Sequence, residues 1–406
     1  MTWRLYQLFV FALQRFMRFH AWISNKSRKG IEGRAVKVSV PKKQHQRVWM
    51  HCASLGEFEQ GKPVLEKLVE QGFEVVLTFF SPSGYESKKH YDKAVWIGYL
   101  PFDTKPNTKL FIEEISPDAA IFVKYEFWWN YVNELIQQYV PTFFISVVLS
   151  KNHYLFRWWA KPFLRLLKSV DAIFVADDLS FQLLDHHGFS NIRHSADTRL
   201  ESVLNRKRQN IRDRVIEDFV GQEKVVIFGS TYPEEHGELA QMTSTVLKDF
   251  KILIFPHEID LSAVYKLSDE LGKKGVLYSK SPEALNPKDL HVMIVDRIGL
   301  LKDAYRFANV VYIGGGFNKG IHNTLEPLVY KRPLIFGPKY QKFPEARMLA
   351  TQPFVRVVNT VEEIGPAMLD LASGKEQKQI DKFYHDLFDG VDHISDEIVT
   401  AVNNAI

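Results

Sequence analysis

The chain of 406 residues contains a single cysteine, Cys52. That scarcity excludes an internal disulfide framework and fits a reducing compartment. Cys52 closes the apolar run Val48–Cys52, where a thiol reads as core and not as nucleophile. Metal-ligand patterns are equally scarce. The sequence has no H-E-x-x-H, no paired cysteines and no D-x-D, so neither a zinc site nor a divalent-metal nucleotide site of the D-x-D kind is supported. The dinucleotide fingerprint G-x-G-x-x-G fails as well, because its third glycine falls at Lys319. The stretch also comes late in the chain and not at its first βα turn, which disfavours a nucleotide dehydrogenase.

A long uncharged run is missing from the N-terminus too. The stretch WRLYQLFVFALQRFMRFHAWI, residues 3–23, is interrupted by Arg15 and Arg18. A spanning helix needs about 20 predominantly apolar residues. No small-residue cleavage site follows, which argues against a signal peptide. Eleven Lys/Arg and one acid fall within residues 1–50, giving that segment +10, so that the rest of the chain carries −6 of the net +4. An aromatic helix bearing arginines, with a basic tail behind it, fits a helix lying in a membrane interface. Anionic lipid would attract that tail by about 1 kcal/mol per basic residue. The alternative is an amphipathic helix packed on the protein itself. Basic excess confined to this segment does not suit nucleic-acid binding.

Beyond residue 45, short apolar runs alternate with helical patterns. The strand candidates are Val48–Cys52, Val75–Phe79, Ala94–Tyr99, Ala119–Val123, Thr142–Val148 and Ala172–Val175. Helical spacing occupies Gly61–Gln71 and Glu126–Tyr139. A second series runs through Val225–Phe228, Ile252–Phe255, Val292–Val295, Val310–Ile313 and Leu334–Phe336. Between the two series, Leu200–Asp218 is charged and lacks a strand signal. Continuous apolar strands alternating with helices predict an α/β protein of two doubly wound domains with parallel sheets. The expected layout is a membrane-associated segment at 1–35, a first domain at 36–205 and a second at 206–375. Helices at 376–406 are placed to pack back across the cleft. Ligands of open parallel sheets bind beyond the carboxyl ends of the strands, so those loops are where the chemistry is expected.

Three loops stand out. IGGGFNKGIHNTLEPLVYKRPLIFGP, residues 313–338, brings glycines directly after a strand, which permits close backbone approach to a ligand. A helix following them would present N–H groups to a phosphate. A tight turn with no ligand explains the glycines equally well. GSTYPEEH carries Ser230 and Thr231, which are N-cap candidates on local grounds, and FPHEID carries His257. In the first half, Ser54-Leu-Gly-Glu57 and Ser83-Gly-Tyr-Glu86 both match the capping box S-x-x-E. VKYEFWWN places Glu126 beside aromatics.

Taken in order, WMHCASLGEFEQGKPVLEKL, LTFFSPSGYE, YLPFDTKPNTKLFIEEISPDAAIFVKYEFWWN, FGSTYPEEHGEL and GGGFNKGIHNTLEPLVYKRPLIFGPKYQKFPEA resemble the successive blocks of the 3-deoxy-D-manno-octulosonic acid (Kdo) transferases. The resemblance reaches from the N-terminus to about residue 350. It implies a metal-independent GT-B glycosyltransferase of two Rossmann-like domains facing a cleft, with no cofactor. Such an enzyme moves Kdo from the donor CMP-Kdo to the 6′-hydroxyl of a lipid A precursor, with inversion, at the cytoplasmic face of the inner membrane. It implies Glu57 as catalytic base, with Ser54, Gly56 and Glu126 on the acceptor side. On the donor side it implies Ser230, Thr231 and His257, the backbone at Gly315 and Gly316 near the phosphate, and Asn323 and Glu326 on the nucleotide. The sequence departs from the family pattern at Lys124, where an acid is frequent, at His257, where arginine is common, and at Ile321. It departs again at Lys339 and Lys342, where His and Asn are common. The alternatives are a GT-B enzyme using a UDP-sugar and a membrane-surface binding module without turnover.

Overall fold

The computed structural model describes residues 3–272, 275–280, 290–318 and 320–406; Lys319, where the dinucleotide fingerprint breaks, lies outside them. The chain forms two compact units, Met1–Ser202 with Gly390–Ile406 and Val203–Asp389.

The first unit is built on seven parallel strands. They are β1 (Arg47–Cys52), β2 (Glu74–Phe79), β3 (Trp96–Tyr99), β4 (Ala119–Val123), β5 (Thr142–Val147), β6 (Ala172–Val175) and β7 (Ile192–His194). Their order is β3-β2-β1-β4-β5-β6-β7. Sequences such as Ala-Ala-Ile-Phe-Val in β4 are buried on both faces, as expected where helices cover a parallel sheet on both sides. The strand order reverses at β1/β4. The helix α3 (Leu55–Glu70), after the N-terminal helices α1 (Trp3–His20) and α2 (Asn25–Ala35), begins three residues beyond β1. Its crossing of the sheet depends on Gly61, where a Cβ would come within 2.9 Å of Met50 Sδ and 3.0 Å of Val123 Cγ2.

The second unit repeats the plan with β8 (Val225–Thr231), β9 (Lys251–Pro256), β10 (Gly275–Leu277), β11 (Val292–Ile294), β12 (Val310–Ile313), β13 (Leu334–Phe336) and β14 (Val355–Val357). Their order is β10-β11-β9-β8-β12-β13-β14, and every pairing is parallel. Here the reversal lies at β8/β12. The last two long helices divide between the units. Gln377–Phe388 stays with the second through Lys331–Asp381 at 2.9 Å. Ile394–Asn403 belongs to the first, where Ser395 donates to Glu201 and Lys67 pairs with Asp396 at 2.7 Å.

α1 buries Tyr6 and Val10 and leaves Leu8, Phe9, Phe11, Phe16 and Phe19 exposed, and Trp22 in the turn after it is exposed as well. No described helix is long and apolar enough to cross a membrane. The buried side of α1 is fastened by a polar latch. The Tyr6 hydroxyl donates to Asp103 Oδ2, while Trp3 Nε1 (3.2 Å) and Gln7 Nε2 (2.9 Å) donate to Asn130 Oδ1. Backbone N–H groups of Asn130 and Tyr131, each at 3.1 Å, complete the shell around the Asp103 carboxylate.

Burial pushes the Asp103 carboxyl up to about 6, against the opposing pull of its hydrogen bonds. A folded-state value raised above the unfolded one means that this group's stabilising contribution is full below about pH 4 and is lost as pH rises through about 6. Comparing Asp103→Asn with the parent by denaturant unfolding cancels the other titrations. Relative to the variant, the parent should lose on the order of 3 kcal/mol between pH 4 and pH 8.

Candidate active site

The topological switch point of the first sheet gathers the loops after β1 and β4. Ser54 is the N-cap residue of α3, but its side chain caps no backbone N–H. Instead its hydroxyl donates to Glu57 Oε2. The capping box expected from Ser54-Leu-Gly-Glu57 is therefore not formed, and Glu57 sits in the first helical turn with its carboxylate turned to side-chain partners. The second expected box fails for another reason. Its helix runs Pro82–Lys88 with Ser81 at the N-cap, so Ser83 lies inside it and Glu86 pairs with Lys89 at 3.0 Å.

Lys124 Nζ stands 3.9 Å from Glu57 Oε1. The lysine adopts φ 65°, a left-handed conformation that non-glycine residues take at a cost and that concentrates at functional sites. Glu126 falls in the turn before helix Trp129–Gln137, which starts three residues later than the Glu126–Tyr139 pattern suggests. Its Oε2 accepts from Trp128 Nε1 at 3.0 Å and lies 3.8 Å from His51 Nε2. Burial, and then the charges of Glu57 and Glu126, raise both the Cys52 thiol and the Tyr125 hydroxyl above their ordinary values. Both carboxylates therefore act on one small region. Gly56 is exposed and would meet only Ser54 Oγ, at 3.7 Å, if it carried a Cβ. His51 was not singled out by the sequence, because a histidine within an apolar run reads as core.

In the second unit the loops after β8 and β12 meet at the other switch point. Ser230 has φ 58° at a register shift of β8. Thr231 is buried, with Oγ1 3.2 Å from His236 Nε2. Neither hydroxyl is the N-cap that local sequence suggests; the following turn starts at Tyr232. The three glycines have intramolecular reasons. A Cβ at Gly314 would lie 2.2 Å from the Ser230 carbonyl oxygen, one at Gly315 2.5 Å from the Gly320 carbonyl oxygen, and one at Gly316 2.5 Å from the Gly337 nitrogen. Glu235, unmarked by any motif, ties these loops together. It accepts from the Tyr312 hydroxyl at 2.7 Å and from the backbone N–H groups of Tyr232 and Gly315.

The helix after the glycines is only Leu325–Leu328. A helix of four residues has little dipole to offer an anion, contrary to the expectation for this loop. Asn323 Oδ1 accepts from Leu325 N–H at 2.9 Å, and its Nδ2 donates to Glu326 Oε1 at 3.1 Å. Lys302 Nζ lies 3.2 Å from the same oxygen. Tyr232, His257 and His322 form a ring cluster, with the two imidazole centroids 4.2 Å apart and the Tyr232 hydroxyl 3.1 Å from His322 Nε2. Burial, reinforced by His257, lowers His322 to about 4. Lys339 reaches the Asn318 carbonyl at 3.1 Å and is exposed, as is Lys342. Among the described residues no group of three or more His, Cys, Asp or Glu is arranged to hold a metal ion.

Two seven-stranded parallel sheets with switch-point loops of this kind define the GT-B class of glycosyltransferase folds. The chain is similar in fold to MurG of Acinetobacter baumannii, with TM-score 0.53, 11% identity, and coverage of 89% of this chain and 100% of that one. It is likewise similar to a UDP-GlcNAc 2-epimerase of Methanocaldococcus jannaschii, with TM-score 0.58, 10% identity, and coverage of 88% and 100%. Within that class, residues 25–202 match the 3-deoxy-D-manno-octulosonic-acid transferase (kdotransferase) family, and the resemblance seen in the sequence is borne out. The chain is 26% identical to the Kdo transferase of Haemophilus influenzae over 353 residues, covering 82% of this chain and 81% of that one. For the Kdo transferase of Chlamydia trachomatis serovar D the identity is 27% over 304 residues, covering 72% and 70%. A bifunctional glycosyltransferase/methyltransferase of Fusobacterium nucleatum is 24% identical over 357 residues, and the match spans only 56% of its length.

The packing at Gly314 separates backbone necessity from helix preference. Gly314→Ala should destabilise the second unit by about 1–3 kcal/mol through overpacking against Ser230. Gly237→Ala, in helix His236–Ser244 where a Cβ meets nothing within 4 Å, should stabilise by up to about 1 kcal/mol. Thermal unfolding of the two variants checks both signs.

Proposed function

We propose that this chain is a Kdo transferase that moves Kdo from CMP-Kdo to the 6′-hydroxyl of a lipid A precursor, with inversion and without a metal. The observation that carries the proposal is the position of Glu57. Within the matched family domain, this carboxylate stands at the switch point of the first sheet, in the first turn of α3, beside Ser54 and Lys124.

In this reading the acceptor hydroxyl gives its proton to Glu57 as its oxygen attacks the anomeric carbon of Kdo. The bond from that carbon to the CMP phosphate oxygen breaks, and CMP leaves with the electron pair. Lys124 balances the charge of Glu57, and Ser54 orients its Oε2. Glu126 accepts from the acceptor sugar, while Gly56 leaves room beside the helix start. On the donor side Asn323 orients Glu326 toward the ribose hydroxyls. Ser230 and Thr231, with the turn at Gly315 and Gly316, meet the phosphate. The Gly315 N–H is held by Glu235, so the phosphate is met by groups around it. His257 and His322 present ring faces to the same ligand.

The exposed aromatics of α1, interspersed with Arg15 and Arg18, suit the headgroup level of an anionic leaflet. We assign the protein to the cytoplasmic face of the inner membrane on that basis. No nucleic acid enters this reading.

Glu57→Gln keeps the size of the side chain and removes the base. Following CMP release with a lipid A precursor in vesicles, turnover should fall at least ~10²-fold while the KM for CMP-Kdo changes little. With the parent protein, anionic vesicles should support faster turnover than neutral ones. A Glu57→Gln variant as fast as the parent would remove the proposed base, and indifference to lipid charge would remove the interface.

A further inference from the structure

His51 is the last residue but one of β1, in register with Thr78 of β2 and Phe122 of β4, and it is 0% exposed. Its Nδ1 lies 2.9 Å from Thr78 Oγ1. That oxygen also accepts from Trp49 Nε1 at 2.9 Å. A hydroxyl has one proton to give, and the competing acceptor among the described residues, the Met50 carbonyl, is 3.5 Å away. On these distances the Thr78 proton is assigned to Nδ1, the nearer acceptor, which leaves the imidazole's own proton on Nε2. The opposite tautomer would turn an Nε2 lone pair toward a carboxylate.

Nε2 has no hydrogen-bond partner among the described residues. Leaving a buried donor unpaired is destabilising, and an apolar ring would fill the same space without that penalty. Yet the atom is aimed at Glu126 Oε2 from 3.8 Å, and the same oxygen already accepts from Trp128 Nε1 at 3.0 Å. A shift of about 1 Å in the carboxylate would complete the bond.

We propose that His51 is a positioning residue for Glu126. When the acceptor binds, His51 Nε2 and Trp128 Nε1 together fix Oε2, and Oε1 is left to accept from a hydroxyl of the acceptor sugar. The chain Trp49–Thr78–His51–Glu126 thus transmits the rigidity of the central strands to a carboxylate in a loop. The identity of that hydroxyl rests on the functional reading above; the tautomer and the pairing with Glu126 do not.

Two conservative variants divide the imidazole. Glutamine at position 51 reaches toward Glu126 with an amide N–H, whereas asparagine reaches only Thr78. In the Kdo transfer assay, His51→Asn should lose ~10-fold or more in kcat/KM for the lipid acceptor, with the KM for CMP-Kdo unchanged. His51→Gln should recover most of that loss. In a Glu126→Gln background the difference between the two should vanish, as expected for coupled neighbours. Equal losses in both variants, or a loss that persists without Glu126, would reduce His51 to core packing.

A second readout is independent of the reaction. In protein labelled with 15N-histidine, the His51 signal, identified by its loss in His51→Gln, should show a protonated Nε2 whose shift moves on Glu126→Gln. An unprotonated Nε2, or a signal indifferent to Glu126, overturns the proposal. If the parent transfers no Kdo, the functional reading fails, and these signals still decide the role of His51.

Discussion

The parallel register of β1 against β2 and β4 is the constraint on which the first site depends. Val48 pairs with Ala119 and His51 with Phe122 on one side, and His51 with Thr78 on the other. Side chains alternate between faces along a strand, so a slip by one residue would send each to the wrong side. With the register fixed, β1 delivers His51 next to its carboxyl end and leads to Ser54 and Glu57 at the helix start. β4 delivers Lys124 and Glu126 beside them. The second unit applies the same rule at β8 and β12, where Val310 pairs with Val226 and Ile313 with Gly229. Strand order reverses at both places, and the backbones part there to leave a crevice.

Backbone strain marks these strand ends. Lys124 and Ser230 both take positive φ without being glycine, each directly in or after a strand at a switch point. The surrounding structure must overdetermine such conformations for them to persist. Around Ser230 it does so through Gly314, which packs against the Ser230 carbonyl. Glu235 adds a buried carboxylate, raised by burial and lowered by its three donors, that binds the two loops into one body. The glycines of this loop are accordingly part of the scaffold that holds Ser230, Thr231 and Glu235 together.

Much of this was legible in the sequence. Fully buried strands such as Ala119–Val123 and Val310–Ile313 are continuous apolar runs and were located to the residue. The short strands β7, β10 and β14 were not, because Ile192–His194, Gly275–Leu277 and Val355–Val357 each have three residues at or near a sheet edge. No alternation can be established over so short a span. The capping boxes misled because the motif records residue types and not where the hydroxyl turns. On α1 the burial of Tyr6 and Val10, four residues apart, was hidden among aromatics on every side. His51 and Glu235 could not be singled out from sequence, since their significance lies in partners from distant strands.

The claim that most needs testing is the identity of the transferred sugar and its acceptor. The protein in detergent, given CMP-Kdo and a lipid A precursor, should increase the lipid's mass, read by mass spectrometry, by one or more Kdo residues. A lipid of unchanged mass, under conditions in which a Haemophilus influenzae Kdo transferase modifies it, would contradict the account, as would transfer from a UDP-sugar in place of CMP-Kdo.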